Sequence, residues 1–204
     1  IGGGGRLAVR SSATVEDLAG SSFAGQYRSL LNVDPADVDA LLDAVRLVFA
    51  SLWHPAPCAY RRAFGIDDGD VEMAVVMMRM VAAETAGVVF TRDPGGESNA
   101  ARIEWVEGLG DTLVRGERTP EARVVPRDVD GVGGDRVVSA AIRLSLEIER
   151  REGAPQDVEW ADDGESTWIV QARPITVGGD SIRDGFDDPV DDAEMRPRYA
   201  EQRR

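Results

Sequence analysis

Two short runs near the end of the described pattern constrain this chain more than any other feature: Gln156-Asp157-Val158-Glu159-Trp160 and Gln171-Ala172-Arg173-Pro174, separated by Asp162-Asp163-Gly164-Glu165. Side chains alternate along a strand, so Asp157 and Glu159 share one face of the first run, and Gln171 and Arg173 share one face of the second. In a hairpin all four point the same way only if paired positions sum to an even number, for example 159 opposite 169 or 171. That parity asks for a loop of three or five residues with a Gly-dependent bulge, rather than a two-residue Asp-Gly turn. Two carboxylates and a carboxamide are oxygen-only ligands. They suit Mg²⁺, which takes one or two carboxylates together with nucleotide phosphate oxygens and water. A solvated hairpin of ordinary polar residues carries the same pattern.

The chain has 204 residues, 43% of them hydrophobic, enough for one full domain or two small lobes with a real core. No run of about 18 apolar residues is present, so no membrane span is expected. The start lacks the charged and apolar pattern of a leader, and the expected location is the cytoplasm. A single cysteine, Cys58, forms no internal disulfide and reads as an inert thiol within a helix. All 23 basic residues are arginine, and the net charge of −14 opposes nucleic acid or anionic membrane as a partner. A small polyanion is still compatible where a few planar guanidinium forks and Mg²⁺ reverse the local field.

Along the chain, Leu7 to Val9 reads as a buried strand and Tyr27 to Val33 as another, with a small-residue loop around Phe23 between them. Asp34 suits a helix N-cap and Pro35 the first helical position. Val38, Leu41, Leu42, Val45, Val48, Phe49 and Leu52 then recur at helical spacing. A second helix is predicted over 56–64, ending at Gly65. Val71 to Val81 and Gly87 to Thr91 are nearly continuous apolar runs and predict two strands in the middle of a sheet. Ala101 to Val106 predicts a strand with Ile103 and Trp105 on one face, Arg123 to Val125 a further strand, and Ser139 to Arg151 a helix ending at Gly153. The fold class expected is α+β, or mixed α/β. Residues 180–204 carry eight acids and five arginines with no apolar pattern, the composition of a linker or disordered tail.

Five motifs stand in order along this sequence: Ala8-Val9-Arg10-Ser11-Ser12 continuing to Ser22-Phe23-Ala24-Gly25-Gln26, Ala86-Gly87-Val88-Val89-Phe90-Thr91-Arg92-Asp93-Pro94, Gly108-Leu109-Gly110-Asp111 with Val114-Arg115-Gly116, Gln156 to Trp160, and Gln171 to Thr176. Through them the chain resembles the phosphoenolpyruvate synthase and pyruvate, phosphate dikinase family, to which rifampin phosphotransferases are similar. The resemblance spans about residues 6 to 176. It implies an ATP-grasp domain of two lobes closing on ATP and Mg²⁺, in an enzyme that phosphorylates a histidine on a separate swivelling domain. Carried onto this chain, Arg10 contacts the ATP phosphates, Glu159 and Gln171 hold Mg²⁺ with Asp157 nearby, and Arg173 steadies the transferring phosphoryl group. The loop with Ser22, Gly25 and Gln26 covers the phosphates with backbone N–H groups. Residues 78–81, with Met80 and Val81, form the hinge whose backbone reads the adenine. Met73, Met77, Met78 and Met80 read as core filling ahead of an adenine box, because methionine is a common gap-filler.

The same resemblance implies a glycine-rich segment with a phosphate-contacting lysine upstream of Arg10, and the sequence given holds no lysine, so the N-terminal lobe is expected to be partial. The domain division expected is 1–68 for that lobe with the Arg-Ser-Ser motif, 69–178 for the C-terminal lobe with the metal and phosphate hairpin, and 179–204 for the acidic tail. The remaining N-terminal lobe and the phosphohistidine domain are the implied partners, on the same or another chain. His54, between Trp53 and Pro55, is read as structural, the hinge glutamine of the family is replaced near Met78, and the glutamate after Gly-Leu-Gly is Asp111. The competing reading is a truncated, non-catalytic module that binds nucleotide or a partner.

Overall fold

The structure, a computed structural model, describes residues 5–15, 27–94, 99–109, 119–127 and 135–175. Its elements in chain order are strands β1 (Leu7–Ala13) and β2 (Ser29–Val33), helices α1 (Val38–Ser51) and α2 (Pro55–Ala63), a 3₁₀ turn at Asp68–Asp70, strands β3 (Met73–Arg79), β4 (Thr85–Phe90), β5 (Ala100–Glu107) and β6 (Glu121–Pro126), helix α3 (Arg136–Glu152), and strands β7 (Gln156–Asp162) and β8 (Thr167–Pro174). The strands form two antiparallel sheets, one ordered β2-β1-β3 and the other β6-β5-β4-β7-β8. Helices and antiparallel sheets together make an α+β fold, as the pattern of apolar residues leads one to expect.

Each sheet buries one face under one long helix. Against the five-stranded sheet, α3 supplies Val138, Ala141 and Ile142, which pack on Val89, Ala101, Ile103, Val125 and Trp160. Burying a side chain of this size stabilises the fold by about 1.5–3 kcal/mol. Helix α3 starts where the Asp135 carboxylate accepts the N–H groups of Val137 and Val138, and it stops at Gly153, whose φ of 72° is left-handed. Against the three-stranded sheet, α1 places Ala44 and Val48 on Val9 and Val33, flanked by Leu41, Val45, Met73 and Val75. Gly87 of β4 lies opposite both Trp105 and Trp160, and a Cβ there would meet the Glu104 carbonyl at 2.1 Å, so the close approach of β4 and β5 requires glycine.

Three sequence expectations shift. Helix α1 begins three residues later than Asp34 and Pro35 suggest: Asp37 is the N-cap, accepting from Ala40 N–H, while Asp34 accepts from Ala36 N–H and closes a separate turn around Pro35. Strand β4 is central, but β3 pairs only with β1 among the described residues and is an edge strand of the smaller sheet. The chain passes from the smaller sheet to the larger within residues 80–84. Finally, the β7–β8 hairpin closes with a four-residue loop, Asp163–Ser166, rather than one of three or five. Residues 180–204, expected to form a tail, lie outside the described residues, as do Ser22, Gly25, Gln26, Gly110 and Asp111.

Candidate functional site

The hairpin reaches the required parity by another device. Next to the loop, Asp162 pairs with Thr167 and Trp160 with Ile169, an odd sum. The register then shifts, leaving Val170 as an extra residue, and Glu159 pairs with Gln171 and Asp157 with Arg173, an even sum. This β-bulge explains how Ile169 packs toward the core while Gln171, only two residues on, turns to the opposite face. Without it, β8 offers its amide and its isoleucine to the same side.

The face of the five-stranded sheet turned away from α3 is polar. Across it run two rows set by the register: Glu104, Val88, Glu159 and Gln171, and beside them Arg102, Phe90, Asp157 and Arg173. Arg10 of β1 meets this face from the other sheet. Its Nη2 donates to Glu159 Oε2 at 2.9 Å and to Gln171 Oε1, so both oxygens converge on one cationic nitrogen. Arg173 Nε donates to Asp157 Oδ2 at 2.8 Å, and its Nη2 donates to the same oxygen. The four partners are largely shielded, with side-chain exposures of 20% for Arg10, 29% for Glu159, 23% for Arg173 and 11% for Asp157, so these charge-assisted contacts act in a medium of low dielectric. A third pair, Arg102 Nε to Glu104 Oε1 at 2.6 Å, completes the face. Every guanidinium here already faces a carboxylate.

The oxygens of Glu159 and Gln171 fit a hard cation, since they already share a positive centre. Among the described residues no cluster of three or more His, Cys, Asp or Glu side chains is placed to hold a metal ion. Met80 and Val81 follow β3 where the chain leaves one sheet for the other. The Met80 N–H donates to the Arg6 carbonyl at 2.9 Å, and its sulfur accepts the N–H of Asn32. Arg102 and Glu104 escaped the sequence reading. Their signal was the complement of one that was read: with Ile103 and Trp105 on the core face, positions 102 and 104 belong to the other. His54 caps α2 through its backbone, and burial followed by the charge of Arg28 holds its imidazole below the ordinary value of 6.5.

Two antiparallel sheets, one of whose arginines meets a carboxylate and a carboxamide of the other, make an α+β fold of ATP-grasp-like architecture. Residues 2–145 match the family described as pyruvate phosphate dikinase, AMP/ATP-binding domain. The chain belongs to that family. It is 37% identical to a probable phosphoenolpyruvate synthase of Archaeoglobus fulgidus, over 84% of this chain and 27% of that protein. It is 39% identical to a rifampicin phosphotransferase of Streptomyces sviceus, over 83% and 23%, and 36% identical to a phosphoenolpyruvate synthase of Pseudomonas aeruginosa, over 84% and 27%. The chain therefore spans about a quarter of the length of these relatives. No helix among the described residues is long and apolar enough to cross a membrane.

Proposed function

We propose that this chain is the ATP-binding part of a dikinase-type phosphotransferase, using Mg²⁺-ATP to phosphorylate a histidine on a separate swivelling domain. The observation that carries this reading is the convergence of Glu159 and Gln171 on the Arg10 guanidinium. Phosphoryl transfer asks a protein mainly to position charged groups and offset developing charge. In this proposal Arg10 leaves its two acceptors to take phosphate oxygens, and Glu159 and Gln171, with Asp157 beside them, hold Mg²⁺. Held there, the metal would supply positive charge to offset that of the phosphates. Arg173 turns its planar fork from Asp157 toward the transferring phosphoryl group, which a point-charge lysine does not imitate. Ser22, Gly25 and Gln26 cover the phosphates with backbone N–H groups, and Val81 reads the adenine together with the carbonyl of Met80. His54, in its shielded place at the start of α2, is not the acceptor.

The division we propose is one lobe built on β1 to β3 and another on β4 to β8, each completed by segments such as the lysine loop and the phosphohistidine domain. Their location is the cytoplasm, where ATP is the common phosphoryl donor. Neither nucleic acid nor membrane is a partner of so acidic a chain, and the final acceptor is set by those other domains. Titration calorimetry with ATP, with and without Mg²⁺, tests the reading. Glu159→Gln is expected to weaken Mg²⁺-ATP binding about tenfold or more, equivalent to about 1.4 kcal/mol, and to leave metal-free ATP nearly unchanged. Equal losses for both forms remove Glu159 from the metal. Arg10→Lys is expected to weaken both.

A further inference from the structure

Four strands lie at sheet edges among the described residues, and three of them carry features that discourage a further strand. β2 has a bulge against β1 and a left-handed Asn32 at φ 61°, β6 has Glu121, Arg123 and Pro126, and β8 has its bulge and Pro174. β3 has none of these. Its residues, Met73-Ala74-Val75-Val76-Met77-Met78-Arg79, run against β1 in unbroken register and hold one charge, at the end. Met80 N–H donates to the Arg6 carbonyl and Thr14 N–H to the Glu72 carbonyl, so the even-numbered residues of this stretch bond to β1. Met73, Val75, Met77 and Arg79 therefore turn their N–H and C=O groups outward. The side chains of these four lie on the α1 side, since Met73 and Val75 belong to the core there, and Met77 stands 53% exposed. Helix α1 overhangs the same edge. Val38, Leu42, Val45 and Phe49 fall within about 60° of one another at 3.6 residues per turn, and Val38, Leu42 and Phe49 are exposed. Ser51, about 150° round the helix from them, accepts the N–H of Arg28 just before β2, so the apolar stripe lies on the other flank, toward β3.

We infer that a second copy of this chain covers both features, by antiparallel pairing of β3 with β3 about a two-fold axis at Val76. One operation serves the edge and the helix together. It sets Val75 opposite Met77 and Met73 opposite Arg79, so outward N–H groups meet C=O groups and Arg79 does not face its own like charge. It also brings the two α1 helices, antiparallel, onto the same side of a continuous sheet with their stripes facing. With residues 38 to 49 centred on each other, Arg46 of one copy lies within a turn of Asp39 and Asp43 of the other, which offsets part of the repulsion between two chains of net charge −14. A lone strand laid on β3 covers Met77 and leaves Val38 and Leu42 in water, a helix's depth above the sheet. The strip is about 23 Å long at strand rise and as deep as a strand plus a helix of about 10 Å, near the lower end of specific interfaces at about 1,200 Å² in total. The pairing is therefore reversible and depends on concentration. The face bearing Arg10, opposite α1, stays open.

Sedimentation velocity of the full chain tests this, with a passage from monomer to dimer expected between the micromolar and near-millimolar ranges. Met77→Lys and Phe49→Glu, both at exposed positions, are each expected to weaken the dimer about tenfold or more. Met77→Pro is expected to abolish it, because the N–H it removes faces away from β1. Val124→Lys, at an exposed position on the β6 edge, is expected to leave it unchanged. In the unaltered chain, hydrogen exchange at the amides of Val75, Met77 and Arg79 is expected to slow as concentration rises, which needs no variant to fold. A monomer throughout the range, or a dimer that survives Met77→Lys and Phe49→Glu, overturns the inference. So does equal protection of those amides at every concentration, the outcome when a strand of the same molecule occupies the edge.

Discussion

In the proposed function Arg10 is at once the residue that binds and the residue that blocks. Its guanidinium engages the oxygens of Glu159 and Gln171, and a hydrogen bond to a charged partner is worth about 1.5–3 kcal/mol. A free cation competes with it for the same oxygens. Arg10→Gln is therefore expected to tighten binding of Mn²⁺ alone severalfold, read by the metal's paramagnetic signal, while weakening ATP about tenfold. Loss of Mn²⁺ binding in that variant shows that the arginine supports the metal site and does not contest it. This trade was not visible in the sequence, where Arg10 and Glu159 stand 149 positions apart and each has nearer candidates for partnership. Their types were legible because forks and carboxylates have few uses in that order. Their mutual contact was not.

At the scale of elements, the faces of β7 and β8 were readable and the means of aligning them was not. Alternation alone placed Asp157 with Glu159 and Gln171 with Arg173. The extra residue at Val170 has no signature beyond an ordinary apolar side chain in an apolar strand, and only the pairing with Trp160 and Ile169 exposes it. The late start of α1 has a similar origin: Asp34 and Asp37 are both good caps, and the turn around Pro35 uses the first and leaves the second to the helix. The hairpin tip is tied down by Asp162. Burial lifts its carboxyl, but the Thr167 hydroxyl, Arg136 and the Gly164 N–H more than offset this and hold it below the ordinary 3.8. A carboxyl depressed by folding adds stability above its unfolded value and gives it up as pH falls through the folded one. Urea midpoints of the native chain are expected to fall between about pH 5 and pH 2 more steeply than those of Asp162→Asn. Parallel slopes remove Asp162 from the acid response.

For the whole molecule, the apolar clusters divide with the sheets: one beneath α3, two on the side of α1 and α2. Among the described residues no element of one sheet packs broadly on an element of the other, and Arg10 with Glu159 and Gln171 is a contact that joins them. Unfolding by urea is expected to depart from two-state behaviour. Emission from a chain retaining only Trp53, on the side of α1 and α2, should change at lower urea than emission from one retaining only Trp160, which is 1% exposed within the larger core. Saturating Mg²⁺-ATP, bound to both sides, should bring the two midpoints together. Coincident midpoints without ligand indicate one cooperative body. The link from Arg10 to Glu159 also sets an order of events during synthesis: the strand holding the acid is made long after the one holding the arginine, so the two sheets are tied at this point only once both strands are in hand.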